Sequence, residues 1–134
     1  MKYIVYILLL AIVIVIPGIG LSEDTDTVLL ARTLYTLARN DDFESAMAIG
    51  TVVMNRVESP WYPNSVQDVL NSPHQFPFGK NYDARALTAA RAIISGDRTL
   101  PKRVTEYQQI GSDDSFRPVE PAFTMGEFNF YYGR

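Results

Sequence analysis

The residues able to do chemistry are few, and their types exclude more than they permit. The 134-residue chain has no cysteine and one histidine, His74. Without cysteine there is no thiolate nucleophile, no cysteine-based zinc site and no disulfide. A Ser-His-Asp relay would have to use His74, and a metal site would need carboxylates. His74 follows Pro73, a setting that suits a loop histidine better than a catalyst. Asp113-Asp114 has the character of a solvated turn. Asn55 and Arg56 fall in a helical stretch, where local hydrogen bonding and ion pairing are the simplest use. No glycine-rich phosphate cradle occurs. The sequence therefore requires no cofactor and no metal.

Charge narrows the partners. The chain has 12 Lys and Arg against 15 Asp and Glu, for a net charge of −3. Setting Lys2 aside leaves 11 bases against 15 acids, or −4. An acidic domain is poorly suited to sequence-independent nucleic-acid binding. The N-terminus is a separate matter. Tyr3 to Ile16 are all apolar or aromatic, and the run continues through Pro17-Gly18-Ile19-Gly20-Leu21. A bilayer core about 30 Å thick needs about 20 such residues in a helix. Only Lys2 adds charge before the run, and Glu23, Asp24 and Asp26 follow it. This asymmetry predicts insertion with the C-terminal part outside. Residues 1–21 are thus a signal peptide, with Gly18 and Gly20 suited to cleavage, or a retained anchor that contacts the bilayer through residues 3–21.

Residues 22–134 form one domain with a modest core. Asp24 or Thr25 can cap a first helix reaching about Arg39, with Leu30, Leu34, Leu37 and Ala38 on its apolar stripe. Asn40-Asp41-Asp42 reads as a turn and a new cap. A second helix covers about Phe43 to Val57, buried through Ala46, Met47, Gly50, Val53 and Val57. Gly50 costs about 1 kcal/mol of helix propensity, which implies close packing against another helix. Ser59-Pro60-Trp61-Tyr62-Pro63 is a rigid loop. Asn64 or Ser65 caps a short helix ending at Leu70. Residues 71–82 are an irregular aromatic loop. Asp83 caps an alanine-rich helix that stops near Ser95, with Gly96 beyond its end. Val104–Ile110 and Glu127–Tyr132 read as strands. Pro118 and Pro121 mark the segment between them as loop. The fold class is α+β, mostly helical, with a short two-stranded element and a preceding hydrophobic helix.

The same segments carry a resemblance. Leu30-Ala31-Arg32-Thr33-Leu34-Tyr35-Thr36-Leu37-Ala38-Arg39 resembles the opening helix of the SleB-type cell-wall hydrolases, roughly L-A-R-x-[IV]-Y-G-E-A-R. Ala48 to Val57 is similar to their V-A-x-V-x-L-N-R-V helix. Ser59-Pro60 and Tyr62-Pro63-Asn64-Ser65-Val66 resemble S-P-x-[FY]-P-x-[ST]-V. His74-Gln75-Phe76 stands where the family has Q-F-S. Ala89-Ala90-Arg91-Ala92 to Ser95-Gly96 resembles the next helix. Thr105-Glu106-Tyr107 matches T-H-[FY], and Thr124 to Tyr131 resembles I-G-x-H-x-F-[YF]. Order and spacing hold from residue 28 to the end. The resemblance implies a small lysozyme-type domain that cleaves glycan strands of peptidoglycan, as a muramidase or lytic transglycosylase. The family includes bacteriophage members.

The departures bear directly on activity. The resemblance places the family's acidic glutamate at Leu37, and both family histidines become Glu106 and Phe128. A glycosidic oxygen leaves only with a proton from a well-placed carboxyl group, and leucine has none to give. Glu106, with Glu127 near it in the matched tail, is the best available replacement acid. Its bland alternative is a solvated strand residue paired with Lys102 or Arg103. Tyr35, Asn55, Gln75, Phe76 and Tyr107 are the candidate substrate contacts, with Trp61 a further aromatic able to stack on sugar. Ordinary core packing is the competing use of each aromatic. The expected function is an exported or membrane-anchored peptidoglycan glycan-strand hydrolase on the periplasmic or extracellular side, secreted if the leader is cleaved. The alternative is an inactive peptidoglycan-binding or structural relative, such as a tethered envelope or virion component.

Overall fold

The computed structural model describes residues 23–39, 42–112 and 120–134. The expected apolar leader helix and the Asp113-Asp114 turn lie outside the described residues. Among those described, no helix is long and apolar enough to cross a membrane.

The helices start where short polar side chains can accept backbone N–H groups. Helix α1 runs Thr25–Leu37 behind Asp24, whose side chain makes no capping bond. Helix α2 runs Phe43–Glu58, and Asp42 accepts the Ser45 N–H at 3.0 Å. Helix α3 is Val66–Leu70, where Ser65 accepts the Asp68 N–H at 3.1 Å. Helix α4 is Ala84–Ser95, where Asp83 accepts the Ala86 N–H at 2.8 Å. Gly96 ends it at φ 121°, a conformation that favours glycine.

Helix α2 is the centre of the domain. It packs against α1, α3, α4 and the sheet. Its residues Ser45 to Val53 are buried on every side, so the stripe expected from Ala46, Met47, Gly50, Val53 and Val57 is part of a wider buried surface, in which Val57 is only half-buried. Gly50 does permit a close helix pair. A Cβ there would lie 2.8 Å from Cγ1 of Ile93 on α4.

The sheet has three strands, not the expected two. Strand β1 is Val104–Gln109, β2 is Phe123–Met125 and β3 is Phe128–Tyr132, in the order β1-β3-β2. Both pairings are antiparallel. The prolines hid β2, but that strand is an edge, where Pro121 removes no ladder bond. Met125 pairs with Phe128 across Gly126-Glu127. Gly126 has φ 57°, and a positive φ at the first central residue is what a two-residue hairpin requires. Phe128 and Phe130 of β3 are fully buried and join the core with Leu30, Leu34, Ile49 and Ile93.

The ladder between β1 and β3 is irregular between Val104 and Glu106. A bulge of this kind turns backbone groups away from the strand partner. Here it leaves the Thr105 carbonyl facing Arg56 of α2, whose Nε donates to it at 2.6 Å.

Candidate active site groove

A groove of about 340 Å³ opens where the end of α1, the 71–82 loop and the outer part of β1 meet. Leu37 enters it from α1, His74 and Gln75 from the loop, and Tyr107, Gln108 and Gln109 from β1. Arg56 reaches it from α2, and Ser112 also lines it. The lining is mostly polar and uncharged. Among the described residues that line it there is no aspartate or glutamate.

Arg56 organises this wall. It is only 5% exposed, and a buried guanidinium needs its donors matched. Besides the Thr105 bond, one terminal nitrogen donates to Gln75 Oε1 at 3.0 Å. Its guanidinium carbon lies 4.9 Å from the Tyr62 ring centre and 5.0 Å from that of Phe76. These distances suit cation–π attraction. Gln75 is thereby held by its side chain. Its carbonyl is held too, by the Tyr107 hydroxyl, which donates to it at 2.7 Å.

Tyr107 stacks on Phe76, with ring centres 5.3 Å apart and planes 21° from parallel. Burial pushes its phenol up to about 12, while the nearby Arg56 charge pulls in the opposite direction. The neutral phenol is therefore the form present at ordinary pH. It serves as a hydrogen-bond donor rather than a base.

The loop that carries His74 and Gln75 is pressed onto α1. A Cβ at Gly79 would fall 2.7 Å from the Arg32 carbonyl oxygen and into Thr36 Oγ1. Only glycine allows this approach, one residue before Leu37. His74 has φ 61°, an uncommon conformation for a non-glycine residue. The sequence reading gave His74 a bland loop role, yet it lines the groove.

The other expected site residues are distributed differently. Gln75 and Tyr107 line the groove. Phe76 is buried beneath Tyr107 and supports it. Asn55 is 2% exposed and donates from its amide to the Pro101 and Val104 carbonyls, each at 2.9 Å. It ties α2 to the start of β1 and does not line the groove. Tyr35 faces a separate small cleft with Arg39, Asp83 and Arg85. Glu106 is half-buried on β1 opposite Tyr131, its Cγ lies near Gly133, and it is not among the described residues that line the groove. Glu127 is in the β2–β3 turn, at the other end of β3 from the Glu106 partner. Sequence reasoning missed Gln108 and Gln109. Their signal was weak: two amides at the exposed end of a strand.

The chain is thus a small helical domain with a three-stranded sheet and an open, amide-lined groove. A family model described as Cell Wall Hydrolase matches residues 40–131, and the chain belongs to that SleB-type family. It is similar to the spore cortex-lytic enzyme of Bacillus subtilis (strain 168), 41% identical over 81 residues, which cover 58% of this chain and 26% of that protein. The spore cortex-lytic enzyme of Halalkalibacterium halodurans is 32% identical over 75 residues, 54% of this chain and 23% of that protein. The chain thus spans about a quarter of the length of these curated relatives. In fold it resembles the catalytic domain of the Bacillus cereus SleB protein, with a TM-score of 0.69 at 20% identity over 84% of this chain and 94% of that one. The catalytic domain of the germination-specific lytic transglycosylase SleB from Bacillus anthracis gives 0.68 at 20% identity, over 84% and 98%.

Proposed function

We propose that this chain binds peptidoglycan glycan strands in the groove between Leu37 and Tyr107, and that the groove no longer cuts them. Membership of the cell wall hydrolase family supports the substrate. The observation that carries the reading is Leu37: it lines the open groove at the position that the family resemblance gives to the acid. Among the described residues, the remaining wall holds amides, a tyrosine, a serine, the Arg56 guanidinium and the His74 imidazole, and no carboxyl group that could act as the acid. The apolar run over residues 3–21 supports action on the outer side of a membrane, with the leader as anchor or signal.

A relocated acid is the second reading, favoured by one observation. Glu106 is half-buried on β1 immediately before Tyr107. One experiment separates the two. Purified peptidoglycan is incubated with the full chain, Leu37→Glu or Glu106→Gln, and pelleting, turbidity and soluble muropeptides are followed. The expected result is that the natural chain pellets with the wall and releases nothing. Leu37→Glu should then release fragments at a rate about a hundredfold or more above the protein-free background, the scale of a positioned general acid. Release by the natural chain that disappears in Glu106→Gln would instead place the acid on β1.

A further inference from the structure

Trp61 is the largest aromatic surface that the groove does not use. It is 63% exposed, although an indole gains more than most side chains from burial. The loop that presents it is stiff. Pro60 and Pro63 flank Trp61-Tyr62 and fix two backbone angles. The Trp61 N–H donates to Ser59 Oγ at 3.2 Å, and the Tyr62 N–H donates to the Ser59 carbonyl at 3.4 Å. An exposed ring on a rigid loop loses little freedom when something settles on it.

The loop is also coupled to the groove. The Tyr62 ring lies against the Arg56 guanidinium, and its hydroxyl is 3.4 Å from Thr105 Oγ1. Arg56 is the same side chain that holds Gln75 in the groove wall. Arg56 thus supports both Gln75 in the groove wall and Tyr62, the neighbour of Trp61 in its loop. On the other side, the Arg134 guanidinium carbon lies 5.7 Å from the indole centre. It lies over one face of the indole, at a separation that suits cation–π attraction, and keeps a fork of donors close to the ring. An exposed apolar plane with donors close by matches a pyranose ring, whose axial C–H face is apolar and whose rim carries hydroxyl and acetamido oxygens.

We propose that Trp61 and Arg134 form a second glycan subsite, which takes a sugar ring of the same strand beyond the part held by Gln75 and Tyr107. The proposal rests on the glycan-binding reading of the groove and extends it to a longer ligand. Trp61 stacks on the ring and Arg134 hydrogen-bonds its oxygens. The subsite lengthens the bound strand and does no chemistry.

Trp61 is the chain's one tryptophan, so its emission reports on this site alone. The test titrates the full chain with peptide-free peptidoglycan glycan chains while following tryptophan emission. Pelleting with whole peptidoglycan is measured alongside for the natural chain, Trp61→Ala and Trp61→Tyr. The expected result is an emission shift that saturates, with binding about three- to tenfold weaker in Trp61→Ala and largely kept in Trp61→Tyr. Unchanged far-ultraviolet circular dichroism should accompany all three. If the natural chain pellets but its emission does not move and Trp61→Ala binds as well, the subsite is wrong and the groove reading survives. If the natural chain does not pellet at all, both fall. Quenching of the emission by brominated lipid, without response to glycan, would assign the indole to a bilayer surface and overturn the subsite.

Discussion

At the scale of the residue, the groove is an arrangement of matched donors and acceptors around one buried charge. Arg56 faces the Thr105 carbonyl, the Gln75 amide and two aromatic rings, and Tyr107 completes the clamp on Gln75. The phenol's environment gives a pH signature. An unfolded chain releases this proton at about pH 10, whereas burial holds the folded phenol to about 12. The folded-state value is the higher one. Its contribution to stability is therefore complete below about pH 10 and is lost as pH rises through about 12. Tyr107→Phe should cost about 1 kcal/mol at neutral pH through the lost hydrogen bond. Its stability curve should then fall less than that of the natural chain between about pH 10 and 12, so the gap narrows. Urea unfolding across that range checks it. Parallel curves would show that the phenol is not buried as described.

At the scale of the element, the sequence revealed what local rules control. Asp42, Ser65 and Asp83 cap the helices expected of them, Gly96 ends α4, and the strand-like runs from Val104 and Glu127 form β1 and β3. Strand β2 was not legible, because Phe123-Thr124-Met125 is too short to show a period and its identity comes from pairing with β3. The site was legible in part for the same reason. Gln75 and Tyr107 belong to short motifs, but the burial of Asn55 depends on carbonyls nearly fifty residues away, and His74 enters the groove only through the loop's path over Gly79. Gly50 is a case where local and tertiary rules oppose each other. Gly50→Ala should gain about 1 kcal/mol of helix propensity. The new methyl would meet Ile93 Cγ1, near the branch of a fully buried side chain with little room to move. Overpacking of this kind costs about 1–3 kcal/mol. The expected outcome is a net loss of about 1 kcal/mol in thermal or urea unfolding. A gain would mean that α2 and α4 separate more easily than their packing implies.

At the scale of the whole molecule, charge and groove point to the same mode of wall binding. The chain carries a net charge of −3, and peptidoglycan bears carboxylates of its own, so long-range attraction cannot be what brings them together. Arg56, which lines the groove, is buried against the Thr105 carbonyl, the Gln75 amide and two aromatic rings, and the lining holds no acid among the described residues. Contacts of that kind are short-ranged, made by amides and rings, and salt screens them little. Raising sodium chloride from about 0.05 to about 0.5 M shortens the screening length several-fold. Pelleting with peptidoglycan should nevertheless change by less than about twofold, with any change toward tighter binding as mutual repulsion is screened. A loss of about tenfold would mean that ionic contacts hold the domain to the wall. Binding would then have to be assigned to exposed cations outside the groove, and Leu37→Glu would no longer be expected to place an acid against a glycosidic bond.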